Sequence, residues 1–178
     1  RENNDSEVNG MRKVEVVPYK EEWVTMFREE SQKIKDVLGE EVVNVYHIGS
    51  TAIPNIHAKP VIDLMVEVVD INKVDPYNHE MEQLGYEACG ENGIPKRRFY
   101  RKGGNNRTHH VHIFEQDNPE IARHIAFRDY MIAHPNEAKT YSQLKQSLAK
   151  QFPNNMEKYI EGKESYIKSI DEKAGSLS

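Results

Sequence analysis

Apolar residues recur at helical spacing after Pro18. Trp23, Met26, Phe27, Ile34, Val37 and Leu38 share one face, and Gly39 ends the run. From Val42 to Ile48 the period drops to two, which predicts a strand. Gly49 to Lys59 mixes Gly, Ser, Pro and Asn and predicts a turn and loop, with or without a short helix. Val61 to Val69 is an apolar run broken by Asp63 and Glu67, the pattern of a buried strand. Val74, Tyr77, Met81 and Leu84 predict a second helix, closed by Gly85. Arg97–Lys102 and Thr108–Glu115 predict two strands joined by Gly103-Gly104-Asn105-Asn106, a hairpin signal. The rest predicts three helices. One opens at Pro119 after Asn118, one at Pro135 with Ala138, Tyr141, Leu144 and Leu148 on its stripe, and one after Pro153 with Met156, Tyr159 and Ile170.

This order predicts an α+β domain: a mixed sheet with helices on one side and a helical C-terminal part. Arg1–Gly10 is polar and aperiodic and predicts a frayed lead, with Met11 a plausible natural start. Residues 11–174 then form a single domain, and 178 residues suit one domain better than two. No apolar stretch approaches the roughly 20 residues that a membrane helix needs. The lone cysteine, Cys89, rules out an intrachain disulfide framework and fits a reducing, cytoplasmic compartment.

The net charge of −5 argues against a nucleic-acid coat protein. It hides an asymmetry. Between Asn92 and Phe114 there is no acid, but there are Lys96, Arg97, Arg98, Arg101, Lys102 and Arg107. A basic segment in an acidic chain predicts a local anion site. Arg98 and Arg107 are candidate phosphate ligands there, since guanidinium groups grip phosphate bidentately. The alternative is a solvated hairpin with its aromatics turned to the core.

Two further constellations carry candidate chemistry. A Gly49-Ser50 turn, with Thr51 beside it, lets backbone and hydroxyl donors approach a phosphate. Asp63 follows on the next strand and can hold a metal against that phosphate. Lys59, extended before Pro60, can reach the same place. The competing reading is an ordinary turn and a salt-bridged acid. His110-x-His112 places two imidazoles on one strand face, where they can ligate one metal with Asp63 and His47. Zinc, manganese or nickel would suit such a set better than magnesium. The competing reading has the histidines bonding the strand edge or an anion.

Several of these residues fall in longer ordered motifs. His47-Ile48-Gly49-Ser50-Thr51-Ala52-Ile53-Pro54 and Ala58-Lys59-Pro60-Val61-Ile62-Asp63-Leu64 resemble the signature of the GrpB family. So do His110-Val111-His112, Phe127-Arg128-Asp129-Tyr130-Met131 with His134-Pro135, and Tyr141-Ser142-Gln143-Leu144-Lys145. The resemblance implies a nucleotidyltransferase-like fold. That superfamily pairs a Gly-Ser turn with two carboxylates at i and i+2 and a third on a neighbouring strand. Asp63 is the catalytic candidate it implies, with Mg, Mn or Zn as the divalent metal and a nucleotide or other phosphorylated small molecule as ligand. The i+2 position, however, is Met65. Glu67 stands roughly 13 Å along the strand from Asp63, too far to replace it. Three readings follow: metal-dependent nucleotidyl or phosphoryl transfer, a histidine-metal hydrolase, or a non-catalytic accessory protein with a protein partner. The last is implied by the family's fusion to dephospho-CoA kinase.

Overall fold

Alternation along the strand Ile62–Val68 sends Leu64, Val66 and Val68 to one side of the sheet and Asp63, Met65 and Glu67 to the other. The fold follows from what each side buries. It is described here over residues 12–176 of a computed structural model, so the expected lead and Met11 lie outside the described residues. The elements are α1 (Glu22–Leu38), β1 (Val42–Ile48), β2 (Ile62–Val68), α2 (Asn78–Gln83), β3 (Tyr86–Ala88), β4 (Arg97–Lys102), β5 (His109–Glu115), α3 (Pro119–Ala133), α4 (Pro135–Gln151) and α5 (Met156–Ser176).

The five strands run in the order β1-β2-β5-β4-β3. Only β2 and β5 are parallel, with Asp63 opposite His110 and Met65 opposite His112. The other pairs are antiparallel. The β3 strand is missing from the sequence reading. Its three residues are too few to show a period, and it is fixed by pairing with β4.

On one face Leu64, Val66, Val111 and Ile113 pack against Trp23, Ile34 and Leu38 of α1 and Met81 of α2. On the other, Met65 and Phe114 pack with Ile48 and with Ile121 of α3. The expectation of helices on one side is therefore corrected: both faces are covered. A third cluster joins Ile53 and Ile56 of the loop after β1 to Met131, Ala138, Tyr141 and Ile170 of α3, α4 and α5. The C-terminal helices thus close over the Gly49–Lys59 loop. Asn118 caps α3 by accepting from the Glu120 N–H, and Pro119 sits in the first turn. No helix among the described residues is long and apolar enough to cross a membrane.

Candidate functional site

Gly49 ends β1 with φ 73°, a backbone that favours glycine. Space requires glycine as well, because a Cβ there would lie 2.6 Å from Asp63 Oδ2. Ser50–Ala52 then make one 3₁₀ turn. The close approach sets the turn against the Asp63 carboxylate on β2.

Two histidines from β5 hold that carboxylate. His112 Nε2 donates to Asp63 Oδ1 at 3.1 Å, and His110 Nδ1 faces the same oxygen at 3.4 Å. The opposite ring nitrogens meet arginines. Arg107 Nη1 donates to His110 Nε2 at 2.8 Å, and Arg97 Nη1 donates to His112 Nδ1 at 3.3 Å. A guanidinium has no acceptor, so both of those ring nitrogens must offer lone pairs. Each ring therefore carries its proton on the side that faces Asp63. Burial alone would raise the Asp63 pKa, but the hydrogen bonds from His110 and His112 prevail and hold it well below the usual carboxylate range. Burial lowers the His110 pKa to about 4, so its ring is neutral near pH 7.

This arrangement answers whether a metal suits the site. The histidine lone pairs face arginines and their N–H groups face Asp63, so neither ring presents a ligand atom to an ion beside the carboxylate. Met65 supplies no second acid and is fully buried against Ile48, Phe114 and Ile121. His47 sits opposite Leu64 on the other face, stacked on Phe27 at 4.8 Å with Nε2 2.9 Å from the Thr51 hydroxyl. Of the expected ligand set, Asp63, His110 and His112 meet here as one carboxylate facing two ring N–H donors, and His47 lies on the other face. The residues present do not fit a two-metal centre.

Asp63 and His110 face a cavity of about 150 Å³ walled on one side by Gly49, Ser50 and Thr51. Lys59 reaches it from the loop, as the sequence suggests. The far wall comes from α4 and α5: Tyr141, Lys145, Tyr159 and Lys163. Lys145 is 1% exposed, and its Nζ has no hydrogen-bond partner among the described residues. It lies 4.4 Å from the Tyr141 ring centroid. The Tyr159 hydroxyl is likewise buried with no partner. Burial, then repulsion from Lys163 and Lys59, lowers the Lys145 pKa to about 6. Lys59 is pushed well below its ordinary value by burial, then by Lys163 and Arg12.

The remaining candidates lie elsewhere. Arg98 faces away from Asp63 and pairs with Asp75 at 2.7 Å, so its expected phosphate role is corrected. The Thr51 hydroxyl is committed to the Val61 carbonyl and to His47. Arg107 lines a neighbouring cavity and reaches this one through His110. His109 points to the opposite face, beside Glu30. The basic hairpin largely serves the fold, since Arg101 pairs with Glu87 and Lys102 with Glu30. Sequence reasoning quotes Lys145 in the Tyr141–Lys145 motif without a site role, and misses Lys163. A signal for Lys145 exists: it falls on the buried Ala138, Tyr141, Leu148 stripe at a position where an apolar residue is the norm.

Comparison with known proteins places this geometry. Residues 13–173 match the family model described as GrpB protein. The chain is 51% identical over 163 residues to protein YqkA of Bacillus subtilis, covering 92% of this chain and 48% of that protein. It thus spans about half the length of this relative. A more distant likeness, at 22% identity, covers 90% of the chain and 46% of a dephospho-CoA kinase of Mycolicibacterium paratuberculosis. Among solved structures it is similar to the conserved protein GrpB of Enterococcus faecalis, with a TM-score of 0.88, 47% identity and coverage of 90% and 96%. The Cid1 poly(U) polymerase aligns with a TM-score of 0.50 at 14% identity over 81% of this chain and 44% of that one, a likeness of fold. The chain therefore belongs to the GrpB family and has a nucleotidyltransferase-like fold with a helical C-terminal part.

Proposed function

We propose that the protein binds the phosphate group of a nucleotide or another phosphorylated small molecule in the cavity between the Gly49–Ser50 turn and helices α4 and α5. The observation that carries this reading is the Lys145 amine and the Tyr159 hydroxyl, both buried in the cavity wall without a hydrogen-bond partner among the described residues. An anion entering there would satisfy both. Lys59 and Lys163 add charge on the same side, and the turn adds backbone and Ser50 donors.

Binding is favoured over chemistry by the state of Asp63. A carboxylate held so far below its ordinary pKa is a weak base at neutral pH. Its role in this reading is to set the floor of the cavity and repel a misplaced anion. Nucleotidyl or phosphoryl transfer through two metals has no support in the donor set. A melting-temperature screen with nucleoside mono-, di- and triphosphates in EDTA tests the reading. The expected result is a rise for at least one phosphorylated ligand that disappears in Lys145→Met. A rise that requires a divalent metal and Asp63, and survives Lys145→Met, would overturn it.

A second reading is a protein-binding accessory domain, favoured by Met65 in place of a second acid and by the likeness to part of a dephospho-CoA kinase. Its test is association with purified dephospho-CoA kinase from the same source. Association unaffected by Lys145→Met and by Asp63→Ala would support it; no association would dismiss it.

A further inference from the structure

The cavity between the Gly49–Ser50 turn and helices α4 and α5 has two unlike ends. Lys145, Lys163 and the Tyr159 hydroxyl form one, on the helices, and Asp63 forms the other, on β2. Only one oxygen of that carboxylate is taken. His110 and His112 both face Oδ1, at 3.4 and 3.1 Å. Oδ2 lies against the backbone of Gly49. Arg12 and Lys59 also feel the Asp63 charge, yet Oδ2 accepts no hydrogen bond from the described residues. A quarter of the Asp63 side chain stays open, at 25% exposure.

A phosphate held by the lysines is repelled by Asp63, so another part of the ligand must face the carboxylate. An ionised carboxylate only accepts hydrogen bonds, so that part must donate one. An ammonium would suit Asp63 but would stand among Lys59, Lys145 and Lys163. A hydroxyl donates without adding charge. Size and lining limit the rest. A void of about 150 Å³ takes a molecule of about benzene's bulk. Neither tyrosine of the wall offers a base an open face to stack on. Tyr141 is 3% exposed, stacked on Tyr166 with Lys145 against its ring, and Tyr159 is 0% exposed, with Lys59 and Lys163 against its ring. We infer that the ligand is a compact phosphate monoester bearing a hydroxyl group, its phosphate on the lysines and its hydroxyl donated to Asp63 Oδ2. Asp63 then sets specificity, and polyol and sugar phosphates are favoured over nucleotides. The inference deepens the phosphate-binding reading and rests on it.

Calorimetric titration of the whole chain in EDTA, with glycerol 3-phosphate and with propyl phosphate, tests this. The two esters share a phosphate and a three-carbon chain and differ in the hydroxyls. A site that bonds a hydroxyl rejects the analogue lacking it, so glycerol phosphate should bind at least tenfold tighter. Asp63→Asn keeps an acceptor for the histidines and loses the one for the ligand. It should bring the ratio to within threefold by weakening glycerol phosphate. If both esters bind the wild type alike and both are lost in Lys145→Met, the phosphate reading stands and this inference falls. If neither ester binds the wild type, the phosphate reading falls and takes this one with it. A tenfold preference that survives Asp63→Asn removes Asp63 from the role. Infrared difference spectra of the wild type decide the matter should the Asn variant fail to fold. Glycerol phosphate, and not propyl phosphate, should shift an aspartate carboxylate stretch, and no shift would overturn the inference. Adenosine monophosphate should bind no tighter than glycerol phosphate, and a tenfold gain from the nucleoside would overturn the compact ligand.

Discussion

A lysine amine with no hydrogen-bond partner among the described residues is costly to bury, and the more so when protonated; Lys145 is almost wholly buried. Its replacement by methionine should therefore stabilise the ligand-free protein, by about 1–3 kcal/mol at pH 6, while removing phosphate binding. Urea unfolding of both proteins measures the first effect. The sign of its pH dependence follows from the lowered pKa. Between about pH 6 and about 10.5 the unfolded chain keeps the Lys145 proton and the folded chain does not. Wild-type stability relative to Lys145→Met should rise with pH across that window, so the gap narrows. A gap independent of pH would contradict the burial of an unpaired amine. Phosphate binding at pH 7.5 should also take up a proton, seen as a dependence of the calorimetric heat on the buffer's ionisation enthalpy. Gly49→Ala is the second test at this scale. Its Cβ would meet a carboxylate that two histidines prevent from turning away, on a backbone with positive φ. A loss of about 1–3 kcal/mol is expected, measured by the same unfolding. Of these residues Gly49, Ser50, Lys59 and Asp63 are legible in the sequence, because local turn and strand rules place them. The partners of His110 and His112 are not, because which ring nitrogen faces Asp63 is decided by Arg107 and Arg97, fixed only by the hairpin's register.

The elements themselves are read well where their signals are local. Hydrophobic period and caps predict β1 and β4 to the residue, and α1 and α3 within their stop and start signals. The second helix is the exception. Its stripe from Val74 to Leu84 is split into a 3₁₀ turn, Asp75–Tyr77, and a short α2, because Pro76 opens a new first turn. Helix α5 matters most for the site, since it carries Tyr159 and Lys163. Its approach to α4 depends on Gly162, where a Cβ would overlap the Leu148 side chain. Gly162→Ala should force the two helices apart at the cavity wall. The expected cost is about 1–3 kcal/mol, with phosphate affinity lowered although no ligand contact has been touched. Thermal unfolding and titration of one variant check both. An unchanged affinity beside a lowered melting temperature would show that the cavity does not depend on that packing.

Across the whole molecule, charge is the quantity most easily misread from the sequence. The run of cations between Asn92 and Phe114 suggests a phosphate grip, yet Arg98, Arg101 and Lys102 are paired with Asp75, Glu87 and Glu30. The cavity's three lysines, Lys59, Lys145 and Lys163, lie outside that run and are separated by 86 and 18 positions in the chain. They meet because the sheet sets the Gly49–Lys59 loop beneath α4 and α5, a tertiary event that no linear window of charge can show. The resemblance to a transferase fold carries over in part. The scaffold and its Gly-Ser turn are present, while Met65 stands where that fold's second acid is expected and histidines face Asp63. Calorimetric titration of pyrophosphate into the wild-type chain and Lys145→Met, in EDTA, weighs these alternatives most directly. Metal-free binding by the wild type, weakened at least tenfold in the variant, is the expected result. Binding that appears only when magnesium or manganese is added, with Lys145→Met equal to wild type, would contradict a lysine-lined phosphate site.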